Sequence, residues 1–249
     1  MRPSFFPYAF SAALLLGGCH SVTPATDEAE KRYAQEYRKT VNEASTRGVL
    51  DTTSTTAKRL HAITDRMLAQ VKKLRPDSSQ WPWEMNLIKN DDLNASSGPG
   101  GKIIVHKGLI DRLELTDDEV AAMMGNLIAS AFNEMPQAYG SSTASGVLDD
   151  LSGRSDNTRM LADLMINASL REKTRRSYEE RADLLGLELA ARAGYNPAAA
   201  VTLWQKVIET WRGSKNEPMS TGPYFKERMA LLKAAVPKVM PLYQNARGF

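Results

Sequence analysis

The chain has 249 residues, with 32 Lys and Arg against 29 Asp and Glu, for a formal net charge of +3. Because the charges are interspersed, as in residues 31–39 and 171–183, they predict solvated helix faces and argue against a nucleic-acid-binding protein. The length allows one sizeable domain, or a domain plus a helical arm, and the single cysteine excludes an internal disulfide.

The first residues combine Arg2 with an apolar run that ends in Leu-Gly-Gly-Cys at positions 16–19. The run is too short to span a bilayer as a mature helix, so it predicts a signal peptide over residues 1–18. Residues 16–19 resemble the bacterial lipobox, which implies cleavage before Cys19 and lipidation of its thiol. An ordinary secretory signal with an incidental cysteine is the alternative.

The residue after the cysteine is His20, which by resemblance to enterobacterial lipoproteins favours the outer membrane. We therefore expect a protein anchored by lipid to the periplasmic side of that membrane. Cleavage would remove Arg2 and no acid, leaving a net charge of +2.

Residues 19–28 are polar and contain a proline, which predicts a short tether before a domain over residues 29–249. This domain opens with an N-terminal helical arm, in which we expect helices at 30–44 and 53–74. The second helix has a regular apolar stripe and is stopped by Pro76. His61 lies off that stripe, which indicates a surface histidine.

Residues 81–88 alternate aromatic and β-branched side chains, which predicts a strand. Residues 90–101 have the composition of a turn, residues 102–105 predict a second strand, and residues 109–113 a short helix. The arrangement is a hairpin or a mixed sheet.

A central helix is expected from Thr116 to Glu134. Thr116 and Glu119 form a capping box, and the apolar residues that follow make one continuous stripe, so we expect burial on one side. The stripe consists of Val120, Met123, Met124, Leu127, Ile128, Ala131 and Phe132.

The second half of the chain is expected to contain a Ser-, Gly- and Asp-rich loop at 140–157 and further helices. These run over 158–169, over 177–193 with Gly194 as C-cap, and from Asn196 to Trp211.

The leader at residues 115–125 resembles the active-site helix of the M48 family of zinc metallopeptidases, where it runs into H-E-x-x-H. That motif places two zinc-binding His one turn apart, with a Glu between them as general base. Here the corresponding residues are Asn126, Leu127 and Ser130. An amide and a hydroxyl are poor zinc ligands, and leucine cannot accept a proton.

Further segments carry the same resemblance. Asn94-Ala95 and Gly100-Gly101 match the family's turn between two strands, with the second strand bordering the substrate cleft. In the family's E-x-x-A-D pattern, Glu179 would be the third zinc ligand and Asp183 the residue that orients a histidine. The alternative is a solvated Glu179 and an Asp183 that caps or bonds a neighbour.

A last matching segment, Ser220-Thr221-Gly222-Pro223 followed by Glu227-Arg228, has glycine where the family usually has histidine. The resemblance implies a mostly helical α+β domain of zincin type, with a small sheet beside the central helix. The joint loss of ligands and base implies a pseudoenzyme with no expected cofactor.

We therefore expect a catalytically inactive lipoprotein, attached to the membrane through Cys19, that binds an unfolded or envelope polypeptide or acts as a scaffold. The expected binding edge is the strand formed by Lys102, Ile103, Ile104 and Val105. The alternative is an active zinc metalloendopeptidase with the atypical ligands Glu179, Asp183 and His106.

Overall fold

The computed structural model describes residues 24–132, 176–211 and 223–248. The first of these ranges contains the sheet and its flanking helices: α1 (Pro24–Thr46), β1 (Leu50–Asp51), α2 (Thr55–Leu74), a 3₁₀ turn (Pro76–Gln80), β2 (Glu84–Ile88), β3 (Ala95–Gly98), a second 3₁₀ turn (Pro99–Gly101), β4 (Lys102–His106), α3 (Lys107–Arg112) and α4 (Asp117–Phe132). Three helices follow: α5 (176–192), α6 (Ala199–Trp211) and α7 (Pro223–Arg247).

The predicted α+β, mostly helical fold with a small sheet beside the central helix is confirmed. Cys19, the loop at 140–157, the helix at 158–169 and Gly222 lie outside the described residues.

The four strands form a mixed sheet in the order β1-β2-β4-β3. Strand β4 is parallel to β2 on one side and antiparallel to β3 on the other. The prediction of a peptide-binding edge at Lys102, Ile103, Ile104 and Val105 is therefore wrong, because β4 is an interior strand.

Strand β3 was missed because its sequence, Ala-Ser-Ser-Gly, has the composition of a turn. Residues of this kind have low intrinsic strand propensity, so β3 depends on its pairing with β4. Strand β2 also begins later than expected, since the Trp83 amide donates to the Trp81 carbonyl in a local turn before Glu84.

Alternation along the strands gives the sheet two buried faces. Ile103 and Val105 join the main core, which lies between the sheet and the helices α2 and α4. Ile104 belongs to a second cluster with Tyr37 and Ala44 of α1. The N-terminal arm thus covers the second face of the sheet. Helix α1 already includes residues 24–28, which were predicted as tether, because proline is compatible with a first helical turn.

The capping box predicted at the start of α4 is confirmed. The Thr116 amide donates to the Glu119 carboxylate at 2.9 Å, and the Glu119 amide donates to Thr116 Oγ1 at 3.3 Å. Every residue of the predicted apolar stripe is buried, but so are Ala122 and Ala129 on the opposite face. Burial on one side only was therefore wrong, since neighbouring elements enclose α4 almost completely.

Helix α5 ends as predicted, with Gly194 in the left-handed conformation at φ 77°. Across residues 24–132, 176–211 and 223–248, no helix combines the length and the apolar character needed to cross a membrane.

Candidate functional site

The exposed part of α4 coincides with the positions that resemble zinc ligands. Between Glu119 and Phe132, every residue is buried except Asn126 and Ser130, which are partly exposed. These two residues are four apart and share one helix face. Leu127 beside them is only 9% exposed and belongs to the main core. Over this range the helix is therefore accessible to solvent only at Asn126 and Ser130.

Asn126 is held by helix α5. Its amide Nδ2 donates to Asp183 Oδ1 at 2.7 Å. The two helices can approach this closely because Gly125, next to Asn126, faces Gly186, three residues after Asp183. A Cβ added to Gly125 would lie 2.4 Å from the Gly186 carbonyl oxygen. The backbone contact thus brings the two polar side chains within hydrogen-bonding distance.

Asp183 is 3% exposed and is paired with Arg228 of α7, which is 7% exposed. The guanidinium donates from Nη2 to Oδ1 at 2.7 Å and from Nε to Oδ2. Burial raises the pKa of Asp183, while the hydrogen bonds from Arg228 and Asn126 oppose that rise. Both carboxylate oxygens therefore have charged donors, as a buried acid requires.

The same guanidinium reaches two further residues. Its Nη1 lies 3.6 Å from Oε2 of Glu179, one turn before Asp183 on α5. Its Cζ lies 3.8 Å from the ring centroid of Trp204 on α6, a cation–π distance. Arg228 therefore joins α5, α6 and α7 at one point.

The sequence profile of Peptidase family M48 matches residues 54–236. The chain belongs to peptidase family M48. It is 26% identical over 213 residues to the mitochondrial metalloendopeptidase OMA1 of Schizosaccharomyces pombe, covering 84% of this chain and 61% of that protein. It is 30% identical over 160 residues to OMA1 of Arabidopsis thaliana, covering 61% and 31% of the two chains. It is 25% identical over 188 residues to the β-barrel assembly-enhancing protease of Escherichia coli, covering 70% and 38%. The chain spans less than two thirds of the length of each of these relatives.

The M48 domain brings together three of the residues singled out from the sequence, namely Asn126, Glu179 and Asp183. Asp183 bonds its neighbours, and Glu179 is partly buried beside Arg228, with 27% of its side chain exposed. Glu179 is therefore a partly exposed carboxylate beside the Arg228 guanidinium.

His106 has different neighbours from Glu179 and Asp183. Its Nδ1 lies 2.9 Å from Asn90 Oδ1 and 3.5 Å from Asp92 Oδ2 at the end of β4. Within the described part of the M48 domain, no three His, Cys, Asp or Glu side chains form a group that could hold a metal ion. The donors around Asp183 do not fit zinc either, since the side chain facing it from α4 is an amide that already donates its Nδ2 hydrogen.

Arg228 and Trp204 had no assigned role in the sequence. Arg228 lies in the segment that resembles the family's last helix, and this was the only signal that pointed to it. Its partner Asp183 is 45 residues away, so no local pattern links the two.

Proposed function

We propose that this M48 protein is a non-catalytic, lipid-anchored protein of the bacterial envelope that binds extended polypeptide segments. The observation that carries the proposal is that this face of α4 stays partly exposed at Asn126 and Ser130, while these two residues and Leu127 stand in place of the two histidines and the glutamate of the motif. Leu127 stands where the general base would be, and it is buried among apolar neighbours. It cannot take a proton from a water molecule.

The binding edge we propose is β3, which ends the sheet in the described part of the chain. In an antiparallel pair, residues that exchange hydrogen bonds alternate with residues whose N–H and C=O point away. The His106 amide donates to the Asn94 carbonyl at 3.0 Å, so that pair is of the first kind. By alternation along β3, Ala95 and Ser97 are of the second kind. Their backbone groups therefore point to the side away from β4 and suit an added strand.

Helix α4 packs beside β3 and would lie under a segment added at this edge. Asn126 and Ser130 are partly exposed polar residues of this helix, and Leu127, where the motif has a carboxylate, lies in the core and adds no charge. An extended segment would gain main-chain hydrogen bonds at the edge, and its side chains would face a floor of reduced charge. Neither contribution requires a metal ion.

The location rests on the sequence at 16–19, where lipidation of Cys19 would anchor the protein to the periplasmic side of the outer membrane. One relative is named for enhancing β-barrel assembly, which suits an extended envelope polypeptide as the bound partner. The Cys19→Ala variant should lose lipidation at this site, and its unchanged processing and membrane attachment would contradict the anchor.

The binding edge is tested by Ser97→Pro in the full-length protein. Proline removes the outward N–H and places its ring where an incoming strand would pair, at an edge that tolerates it. Ser97→Ala is the matched control because it retains the N–H. We expect Ser97→Pro to weaken binding of a fluorescent, carboxymethylated unfolded polypeptide by roughly tenfold, in line with the loss of main-chain hydrogen bonds.

Circular dichroism and thermal melting establish that both variants are folded. Equal affinities for the two folded variants would overturn β3 as the binding edge. A scaffold role would then replace it.

A further inference from the structure

We infer that Asn126, Asp183 and Arg228 form a metal-independent clasp that fastens α4, α5 and α7, with Asn126 serving as the hydrogen-bond donor that a histidine would otherwise provide. We call these three residues the clasp. The inference concerns how the M48 fold is held together in this chain and does not depend on polypeptide binding.

The hydrogen bonding of the clasp is complete around the Asp183 carboxylate. Oδ1 accepts from Asn126 Nδ2 and from Arg228 Nη2, each at 2.7 Å, and Oδ2 accepts from Arg228 Nε. Fork-like pairing of this kind is among the strongest contacts a carboxylate makes. Removal of Arg228 takes away the Nε donor to Oδ2, and removal of Asn126 leaves Oδ1 with one of its two donors. Loss of hydrogen bonds to a buried carboxylate is costly in a protein interior.

The arginine is fixed on its other sides as well. The Trp204 ring lies 3.8 Å from the guanidinium carbon, and Glu179 Oε2 lies 3.6 Å from Nη1. Arg228 is therefore held by a buried acid, a partly buried acid and an aromatic face. A cation supplied by the chain itself balances the buried charge of Asp183, so the carboxylate needs no bound metal for that purpose.

The chemistry of asparagine explains how the clasp survives without histidine. The Nδ2 of asparagine and the Nδ1 of histidine are both bonded to Cγ, so both can donate to an acceptor at the same place. Asparagine has no counterpart of the distant Nε2 atom, through which such a histidine could bind a metal. Asn126 thus keeps the hydrogen bond to Asp183 but lacks the nitrogen through which a histidine could bind a metal ion.

The test is thermal unfolding of the full-length protein and its variants, all in the presence of chelator. Asn126→His retains the donor and should melt within about 2 °C of the parent. Asn126→Asp has the same shape but places an acceptor against Asp183, so its Tm should fall by roughly 5 °C or more. Comparing the Tm of these two variants separates the effect of the hydrogen-bond donor from the effect of side-chain size.

A second comparison concerns the arginine. Arg228→Met should lower the Tm by roughly 6 °C or more, because it leaves a buried carboxylate unpaired. Arg192→Met is the control, since Arg192 forms a partly exposed ion pair with Glu188 on the same helix α5 as Asp183, and its Tm should change little. If Arg228→Met does not fold, its failure beside a folded control supports the clasp, and the Asn126 pair remains measurable.

Three results would overturn the inference. Asn126→Asp could be as stable as Asn126→His, or Arg228→Met as mild as Arg192→Met. Alternatively, zinc could raise the Tm of the unmodified protein, or chelator lower it, which would show that a metal ion stabilises the site.

Discussion

Leu127 is the residue at which the proposed loss of catalysis and the stability of the fold are connected. It is 9% exposed, lies in the main core, and occupies the position of the general base in the motif that its helix resembles. A core leucine contributes burial energy, whereas a carboxylate at the same place would require a partner. A leucine at this position therefore favours folding but cannot act as a general base.

We predict that Leu127→Glu destabilises the protein by about 2 kcal/mol or more and restores no peptidase activity. The buried carboxylate must either remain unpaired or shift its pKa upward to stay neutral. Urea unfolding measures the loss, and Leu127→Met, which conserves volume, should cost less than about 1.5 kcal/mol. An unchanged midpoint for Leu127→Glu would mean that this side chain faces an open cleft.

At this scale the sequence predicted the identity of the site residues but not their partners. Asn126, Glu179 and Asp183 could be found because they occupy places in a known motif. Arg228 is 45 residues after Asp183 in the sequence, and it contacts Asp183 only because α7 packs against α5. Contacts at such separation are set by tertiary structure, which no local spacing encodes.

At the scale of elements, the start of α4 is linked to α6 through Glu119, which is 3% exposed. Its carboxylate accepts from Thr202 Oγ1 at 2.9 Å and from Lys206 Nζ at 2.8 Å, besides closing the capping box. Burial alone would raise the pKa of Glu119, but the hydrogen bonds from Lys206, Thr116 and Thr202 outweigh it and leave the pKa below its ordinary value of 4.5.

This lowered pKa predicts a pH-dependent contribution to stability. Because the folded pKa lies below the unfolded one, the stabilisation is present above pH 4.5 and is lost as the pH falls through the folded value. Glu119→Gln should therefore flatten the decline of the urea midpoint in that acid range. Glu188→Gln, in a partly exposed ion pair, is the control. A decline as steep in Glu119→Gln as in the parent would contradict the assignment.

The helices were predictable because capping and apolar periodicity are local signals. The stripe of α4, the Thr116 cap and the Gly194 stop were all found from spacing alone. Strand β3 was not, because Ala-Ser-Ser-Gly becomes a strand only by pairing with β4. That single omission moved the predicted binding edge onto an interior strand.

At the scale of the whole molecule, the sheet is enclosed by α1 on one face and by α2 and α4 on the other. The clasp then attaches α5 and α7 to α4 from the remaining side. Among the described residues, the M48 fold is thus held by apolar burial and by buried acids paired with basic side chains, Asp183 with Arg228 and Glu119 with Lys206. Sequence resemblance was sufficient to predict this architecture, whereas the pairing of Asp183 with Arg228 could be seen only in the packed structure.

The central claim is that this M48 protein is folded without zinc and performs no metal-dependent hydrolysis. The most direct measurement is elemental analysis of the full-length protein, purified without chelator and offered equimolar zinc before desalting. We predict about a tenth of a zinc ion per chain or less, because the side chains around Asp183 lack the three or four donors that tight zinc binding needs. One zinc ion per chain, removed by chelator together with cleavage of an unfolded substrate, would contradict the account.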